Sequence, residues 1–231
     1  IICTDHQEII CTDHQEIISV CKNLRPGTAA GYDDIHMDVV KSTIDLISEP
    51  LAKVINLSIT TGIVSSELKI ARVIPLFKSG DQAFFVSYRP VSVLPVFSKF
   101  LKKVIYKRLY SYLLKYNLSF DNQYKFRKSH STFLALIHLY DKLSCAIYNK
   151  EFTMSVFINL SKAFNTVNHQ ILVAKLNHYG VRGTLLKWFE SYLSGRKQFV
   201  NFNSHSSSQM LVKCGVPQGS VLGPLLFLIY I

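Results

Sequence analysis

Lys99, Lys102, Lys103 and Lys107 form a cluster of cations within nine residues of this chain. Phe97, Phe100, Leu101, Val104, Ile105, Leu109, Tyr112, Leu113 and Tyr116 recur around them at helical spacing, which predicts a helix over Phe97–Tyr116. On that helix the lysines fall within one arc of about 140°, at about 100° per residue. Such an arc is either a solvated face or a surface that neutralises phosphates. A second candidate follows in FDNQYKFRKSHST, Phe120–Thr132, where aromatics alternate with Lys125, Arg127 and Lys128. That mixture suits base stacking and phosphate contact, although such aromatics also serve as core. Carboxylate chemistry is sparse by comparison. After Asp141 there is no aspartate, and the only acids are Glu151 and Glu190. Histidines 130, 138, 169, 178 and 205 lack ligand spacing, so they read as surface or satisfied core residues and no metal site is expected.

These residues belong to a basic, core-forming chain. Its 26 Lys and Arg against 15 Asp and Glu give a formal charge of +11, which favours polyanionic partners, nucleic acid first. A length of 231 residues at 48% hydrophobic content supports a substantial core in one large or two small domains. The longest apolar run, Val221–Ile231, is interrupted by Gly223 and Pro224 and falls short of the roughly 20 residues that span a bilayer. No membrane partner is expected. The five cysteines include no CxxC pair, so neither a zinc site nor a disulfide-linked partner is expected. They read as reduced thiols of an intracellular protein, nuclear or cytoplasmic.

The octapeptide ICTDHQEI occurs at Ile2–Ile9 and again at Ile10–Ile17. It is far shorter than a solenoid repeat, and residues 1–15 are expected to be a disordered tail. LRPGTAAGYDDI, Leu24–Ile35, reads as a loop. Met37–Thr61 predicts two helices with a break near Pro50, and Ile70–Phe77 a strand leading into the basic KSGD turn. Helices are predicted over Leu134–Ile147 and Leu185–Leu193, the second ended by Gly195, and a strand over Phe152–Ile158. Gln198–Phe202 and Met210–Cys214 flank a serine-rich turn and read as a hairpin. Val221–Ile231 is expected as an exposed, β-prone and aggregation-prone terminus. Strands and helices alternate irregularly, which implies an α+β fold.

Seven segments carry a family resemblance in order: LRPGTAAGYDDI, VIPLFKSGD, SYRPVSVLPVFSKFLKKVIYKRL, DNQYKFRKSHST, FINLSKAFNTVNHQIL, YGVRGTLLKWFESYLSGRKQFV and GVPQGSVLGPLLF. From about Glu16 to Ile231 the chain resembles the reverse transcriptase of non-LTR, LINE-type retrotransposons, nearest to the jockey-like elements. The resemblance implies a partial right-hand polymerase fold: fingers over 16–150, an incomplete palm with an antiparallel sheet over 151–231, and no thumb. Basic fingers residues of that family hold the incoming triphosphate and the template backbone. This implies nucleotide-binding roles for Lys78 and Arg89 and nucleic-acid contacts for Arg127, Lys128, Lys99, Lys102 and Lys103. At the position of Lys125 the family usually has glycine. Phe164 would pack under the sugar of the nucleotide, with Gln218 and Gly219 against the nascent base pair. The implied partners are an RNA template and a DNA primer.

The resemblance also places the first metal-binding aspartate at Asn159, five residues before Phe164, and a further aspartate at Asn165. Nucleotidyl transfer in the family uses two magnesium ions about 4 Å apart, fixed by carboxylates. Asparagine offers only a neutral carbonyl. The family's paired-aspartate hairpin would begin just past Ile231. Magnesium is therefore not expected to be bound by this chain, and the reading is a reverse transcriptase fragment without polymerase activity. One alternative is a noncatalytic RNA- or DNA-binding module that keeps the basic fingers surface. Another is a living enzyme whose sequence is altered at position 159.

Overall fold

Some helices in this protein begin where a side chain takes up a free amide hydrogen, and others begin without such a cap. In the computed structural model, which describes residues 11–118, 123–127, 129–160, 162–203, 205–217 and 219–231, helix α1 (His14–Lys22) starts at Asp13. The Asp13 carboxylate accepts from the Glu16 amide at 2.7 Å. The Thr12 amide donates to Asn56 Oδ1 at 2.7 Å, and Asn56 Nδ2 returns a bond to the Thr12 carbonyl at 2.8 Å. Residues 11–15, expected within a disordered tail, are thereby held on the fold; residues 1–10 lie outside the described residues.

Met37–Thr61 does divide into two helices, α2 (Met37–Ser42) and α3 (Ile44–Thr61), but the break falls at Thr43 and Pro50 sits inside α3. The Thr43 hydroxyl donates to the Val39 carbonyl at 2.9 Å, a local bond that competes with helix continuation. Pro50 deprives the Leu46 carbonyl of its helical donor, and Leu46 is exposed, so water can replace the lost bond.

The remaining helices are α4 (Val96–Lys115), α5 (Thr132–Tyr148), α6 (His169–His178), α7 (Gly183–Leu193) and α8 (Gly223–Tyr230). The strands are β1 (Ile70–Phe77), β2 (Tyr88–Val93), β3 (Lys197–Phe202), β4 (His205–Ser206) and β5 (Met210–Leu211). They form one sheet in the order β2-β1-β3-β4, with β5 also paired to β3. Pairing is antiparallel except between β1 and β3, where Arg72 lies beside Phe199 and Val73 beside Val200. The fold is α+β, as the sequence implies.

The core gathers Ile17 and Val20 of α1, Ile55 of α3, Phe100 and Ile105 of α4, Leu172 and Leu176 of α6, and Trp188 and Phe189 of α7. Helix α8 adds Leu225, Leu226 and Ile229. Val221–Ile231 is thus not an exposed β-prone end. Pro224 is tolerated in the first turn of α8, where its missing amide hydrogen would have had no helical partner.

Phe152–Ile158 does not form its predicted strand. It has no partner strand among the described residues, and Phe152, Met154, Val156, Phe157 and Ile158 are all exposed. Strand propensity expresses packing and pairing with neighbours, and here neither is supplied. Among the described residues no helix is long and apolar enough to cross a membrane.

Candidate nucleotide and nucleic-acid site

The segments FINLSKAFNTVNHQIL and GVPQGSVLGPLLF meet through their backbones. The Val216 amide donates to the Phe164 carbonyl at 2.8 Å and the Gly215 amide to the Val167 carbonyl at 2.7 Å. Gly215 has φ +86°, and a Cβ there would lie 2.8 Å from Asn165 Cα, so glycine is required by both conformation and space. His169 Nε2 donates to the Gly215 carbonyl at 2.8 Å. Asn168 caps α6, its Oδ1 accepting from the Gln170 amide at 2.9 Å. The short turn Ala163–Asn165 is entered through Lys162 at φ +51°. The polar residues of NTVNH thus hold the turn and start the helix that follows it.

Phe164 is half-buried between two other rings. Its centroid lies 4.9 Å from that of Phe227 in α8, and Phe126 meets it edge-on at 6.2 Å. The QYKFR segment therefore reaches Phe164 through Phe126. The left-handed conformation in this stretch falls on Phe126, at φ +63°, one residue beyond Lys125. Arg127 is half-buried and lines a small cavity with Tyr110, Gln123 and Tyr179. Lys128 lies outside the described residues.

Lys78 and Arg89 lie at the loop end of the β1–β2 hairpin. The Lys78 amide donates to the Ser87 carbonyl at 2.8 Å, Arg89 stands opposite Leu76, and both residues are exposed. Gly219, at φ +89°, comes beside the same hairpin: a Cβ there would lie 3.7 Å from Val91 Cγ1 and 3.8 Å from the Ser92 carbonyl oxygen. Gln218 lies outside the described residues. Gly219 therefore meets β2 at Val91 and Ser92, two and three residues beyond Arg89 and farther from Lys78, which bonds to Ser87.

The lysines of α4 do not form the exposed basic face expected of them. Lys102 is 2% exposed, and burial, with the charges of Arg196 and Lys99, holds its amine well below the usual lysine range. Lys99 is half-buried and donates to Thr28 Oγ1 at 3.1 Å; burial lowers its pKa against the opposing pull of Asp33. Lys103 lies over the Tyr106 ring at 5.7 Å, and Lys107 approaches Glu16 Oε1 at 3.8 Å. The arc fails because α4 is enclosed on several sides: α1 packs against it, Ser98 Oγ donates to the Leu68 carbonyl at 3.0 Å, and Arg196 approaches Lys102. Helical periodicity locates the apolar stripe without showing whether the opposite face is also covered.

Asn159 is exposed within the unpaired 151–160 segment. Among the described residues there is no group of three or more His, Cys, Asp or Glu able to hold a metal ion. The sequence reading did not single out Gly215, His169 or Arg196 as structural pivots. The first glycine of GVPQG was the available signal for Gly215; Arg196 gave none, because its surroundings come from distant segments.

Residues 78–231 match the family described as reverse transcriptase (RNA-dependent DNA polymerase). The chain is 30% identical to a probable RNA-directed DNA polymerase from transposon BS of Drosophila melanogaster, over 92% of this chain and 24% of that protein. It is 36% identical to a probable RNA-directed DNA polymerase from transposon X-element of the same fly, over 62% of this chain and 16% of the relative. Similarity to the RNA-directed DNA polymerase from mobile element jockey of Drosophila funebris is 30% over 90% of this chain and 23% of the relative. The chain thus spans less than a quarter of the length of these relatives. With the two motif segments joined through Phe164 and Gly215 and the match extending from Lys78 through α8, the chain belongs to the reverse transcriptase family, as a jockey-like domain of the non-LTR retrotransposon type.

Proposed function

We propose that this chain keeps the nucleic-acid-binding surface of a reverse transcriptase domain without its nucleotidyl transfer. In this reading residues 16–150 are fingers-like and 151–231 palm-like parts of a right-hand polymerase. The observation that carries the binding half is the pair of exposed cations Lys78 and Arg89 at the loop end of one hairpin, with Gly219 beside Val91 farther along the same strand as Arg89. Exposed cations at a hairpin tip neutralise phosphates, and a glycine turn without a side chain lets a nucleotide or template approach the backbone. Phe164, gripped by Phe126 and Phe227, offers a rigid ring to a sugar. RNA template and DNA primer are the proposed partners, and an intracellular setting, nuclear or cytoplasmic, follows from them.

The donor set supports the second half. Two magnesium ions need anionic oxygens in a fixed octahedral arrangement. Asn159 and Asn165 supply neutral carbonyls, and both side chains are exposed. These residues do not fit the ions the family uses. Losing that charge removes stabilisation of the developing phosphoryl charge and lowers the rate by several orders of magnitude.

Binding of primed RNA measured across a salt series tests the surface. The expected outcome is affinity that falls steeply with salt. Affinity indifferent to salt, or absent, sinks the binding half of the reading.

A further inference from the structure

Helix α5 buries none of its residues. Phe133, Leu136, Ile137, Tyr140 and Ile147 fall within an arc of about 100° on it, at about 100° per residue, and all five are exposed. A helix ordinarily turns such an apolar stripe toward a core. The helix ends in a left-handed cap at Lys150, φ +59°. There the Lys150 amide donates to the Ile147 carbonyl at 3.0 Å and the Glu151 amide to the Ala146 carbonyl at 2.8 Å, a pair of bonds that fixes the direction in which the chain leaves α5. What leaves is the segment 152–158, none of whose residues forms a backbone hydrogen bond to a described residue. Phe152, Met154, Val156 and Ile158 share one face of this segment when it is extended, and each is at least 76% exposed.

Unpaired backbone donors and acceptors beside apolar side chains form a template for pairing with another chain. The area suits a second copy. Phe133, Tyr140, Tyr148, Phe152 and Phe157 are each 69% or more exposed. At about 150–250 Å² for a covered ring, these five alone bring on the order of 800 Å², which is what each partner of a stable interface buries. Charge permits self-association at this place: the only Asp, Glu, Lys or Arg side chains of residues 132–160 are Asp141, Lys142, Lys150 and Glu151, so the stretch is neutral within a chain of +11. We propose that two copies of this chain associate through residues 152–158, paired antiparallel about a two-fold axis at Ser155, with the α5 stripe covered by the second copy. This register sets Phe152 opposite Ile158, Thr153 opposite Phe157 and Met154 opposite Val156, and it pairs the segment along its whole length. A one-residue slip would turn the apolar face of one copy against the opposite face of the other. The surface does not depend on nucleic-acid binding or on polymerase activity.

The test is sedimentation equilibrium of the purified chain over a concentration series, with disulfide crosslinking by oxidised glutathione in parallel. A reversible monomer–dimer equilibrium is expected. Met154→Lys and Tyr140→Lys each place an unpaired charge in the interface while changing a side chain that is exposed in the single copy. Both variants are expected to keep the circular dichroism spectrum of the parent chain and to raise the dimer dissociation constant on the order of tenfold or more. Ser155→Cys, on the axis, is expected to give a disulfide-linked dimer well above the parent chain, whose own exposed cysteines set the background. Thr153→Cys stands four residues from its own copy, roughly 13 Å along the strand, and is expected to stay at that background. A chain that remains monomeric across the series, or that forms open-ended aggregates without a dimer, overturns the proposal. So does a dimer that either lysine variant leaves intact, or one in which Thr153→Cys crosslinks as readily as Ser155→Cys.

Discussion

The Val216 amide donates to the Phe164 carbonyl at 2.8 Å, which ties the ring that would lie under a nucleotide sugar to the start of the VPQG segment. Next to this bond, Gly215 passes so close to Asn165 that no side chain fits between them. The junction is a backbone contact, so its integrity depends on a glycine more than on any functional side chain.

Gly215→Ala therefore has two costs: a left-handed φ and a Cβ set against main-chain atoms that cannot move aside. The expected loss is about 3 kcal/mol in urea unfolding. Gly27→Ala is the matched comparison. Its φ is +64° with nothing within 4 Å of the added Cβ, so a loss of about 1 kcal/mol is expected from the backbone term alone. Equal losses in the two variants would show that the close approach at Gly215 contributes nothing.

Binding of primed RNA separates exposed from buried cations. Lys78→Ala and Arg89→Ala are each expected to reduce the slope of log affinity against log salt by about 0.7–0.9. Lys102→Met is expected to leave that slope unchanged, because Lys102 is enclosed. A slope that responds to Lys102 and not to the hairpin residues would reverse this assignment.

Glu16 links α1 to α4. Its Oε2 accepts from Thr12 Oγ1 at 2.5 Å and from Arg108 Nη2 at 2.9 Å. Burial pushes its pKa up, but the hydrogen bonds from Thr12 and Arg108, with the charges of Arg108 and Lys107, outweigh burial and leave it below the usual value. A carboxyl lowered in the folded state stabilises fully above its unfolded pKa, about 4.3, and loses that contribution as pH falls through the lowered folded value. Glu16→Gln is expected to cost about 1 kcal/mol at neutral pH, with the difference from the parent chain shrinking on acidification. A difference independent of pH would remove the charge from this account.

Much of the scaffold was legible from local pattern. Ile70–Phe77 reads as a strand because its β-branched run ends in turn chemistry, and the structure gives β1 the same bounds. The 197–211 hairpin and α5 follow equally from local signals. What failed depended on distant partners. The α4 lysines look solvated until α1 and Arg196 are placed beside them, and Phe152–Ile158 has strand composition without a strand to pair with. Val221–Ile231 looks like an exposed, β-prone terminus, yet Pro224 lies in the first turn of a helix whose leucines complete the core. Within the site, Phe164 and Gly219 were legible as motif residues. The roles of Gly215 and Phe126 were not, since each is defined by what it touches.

The central claim is that the domain engages primed nucleic acid but does not copy it, and primer extension tests it most directly. Purified chain, labelled DNA primer, RNA template, magnesium and all deoxynucleoside triphosphates would be incubated beside a no-protein control. The account predicts no extension above that control under conditions where the primed template is bound. Template-directed, magnesium-dependent extension above the control would contradict it and show that Asn159 does not prevent catalysis.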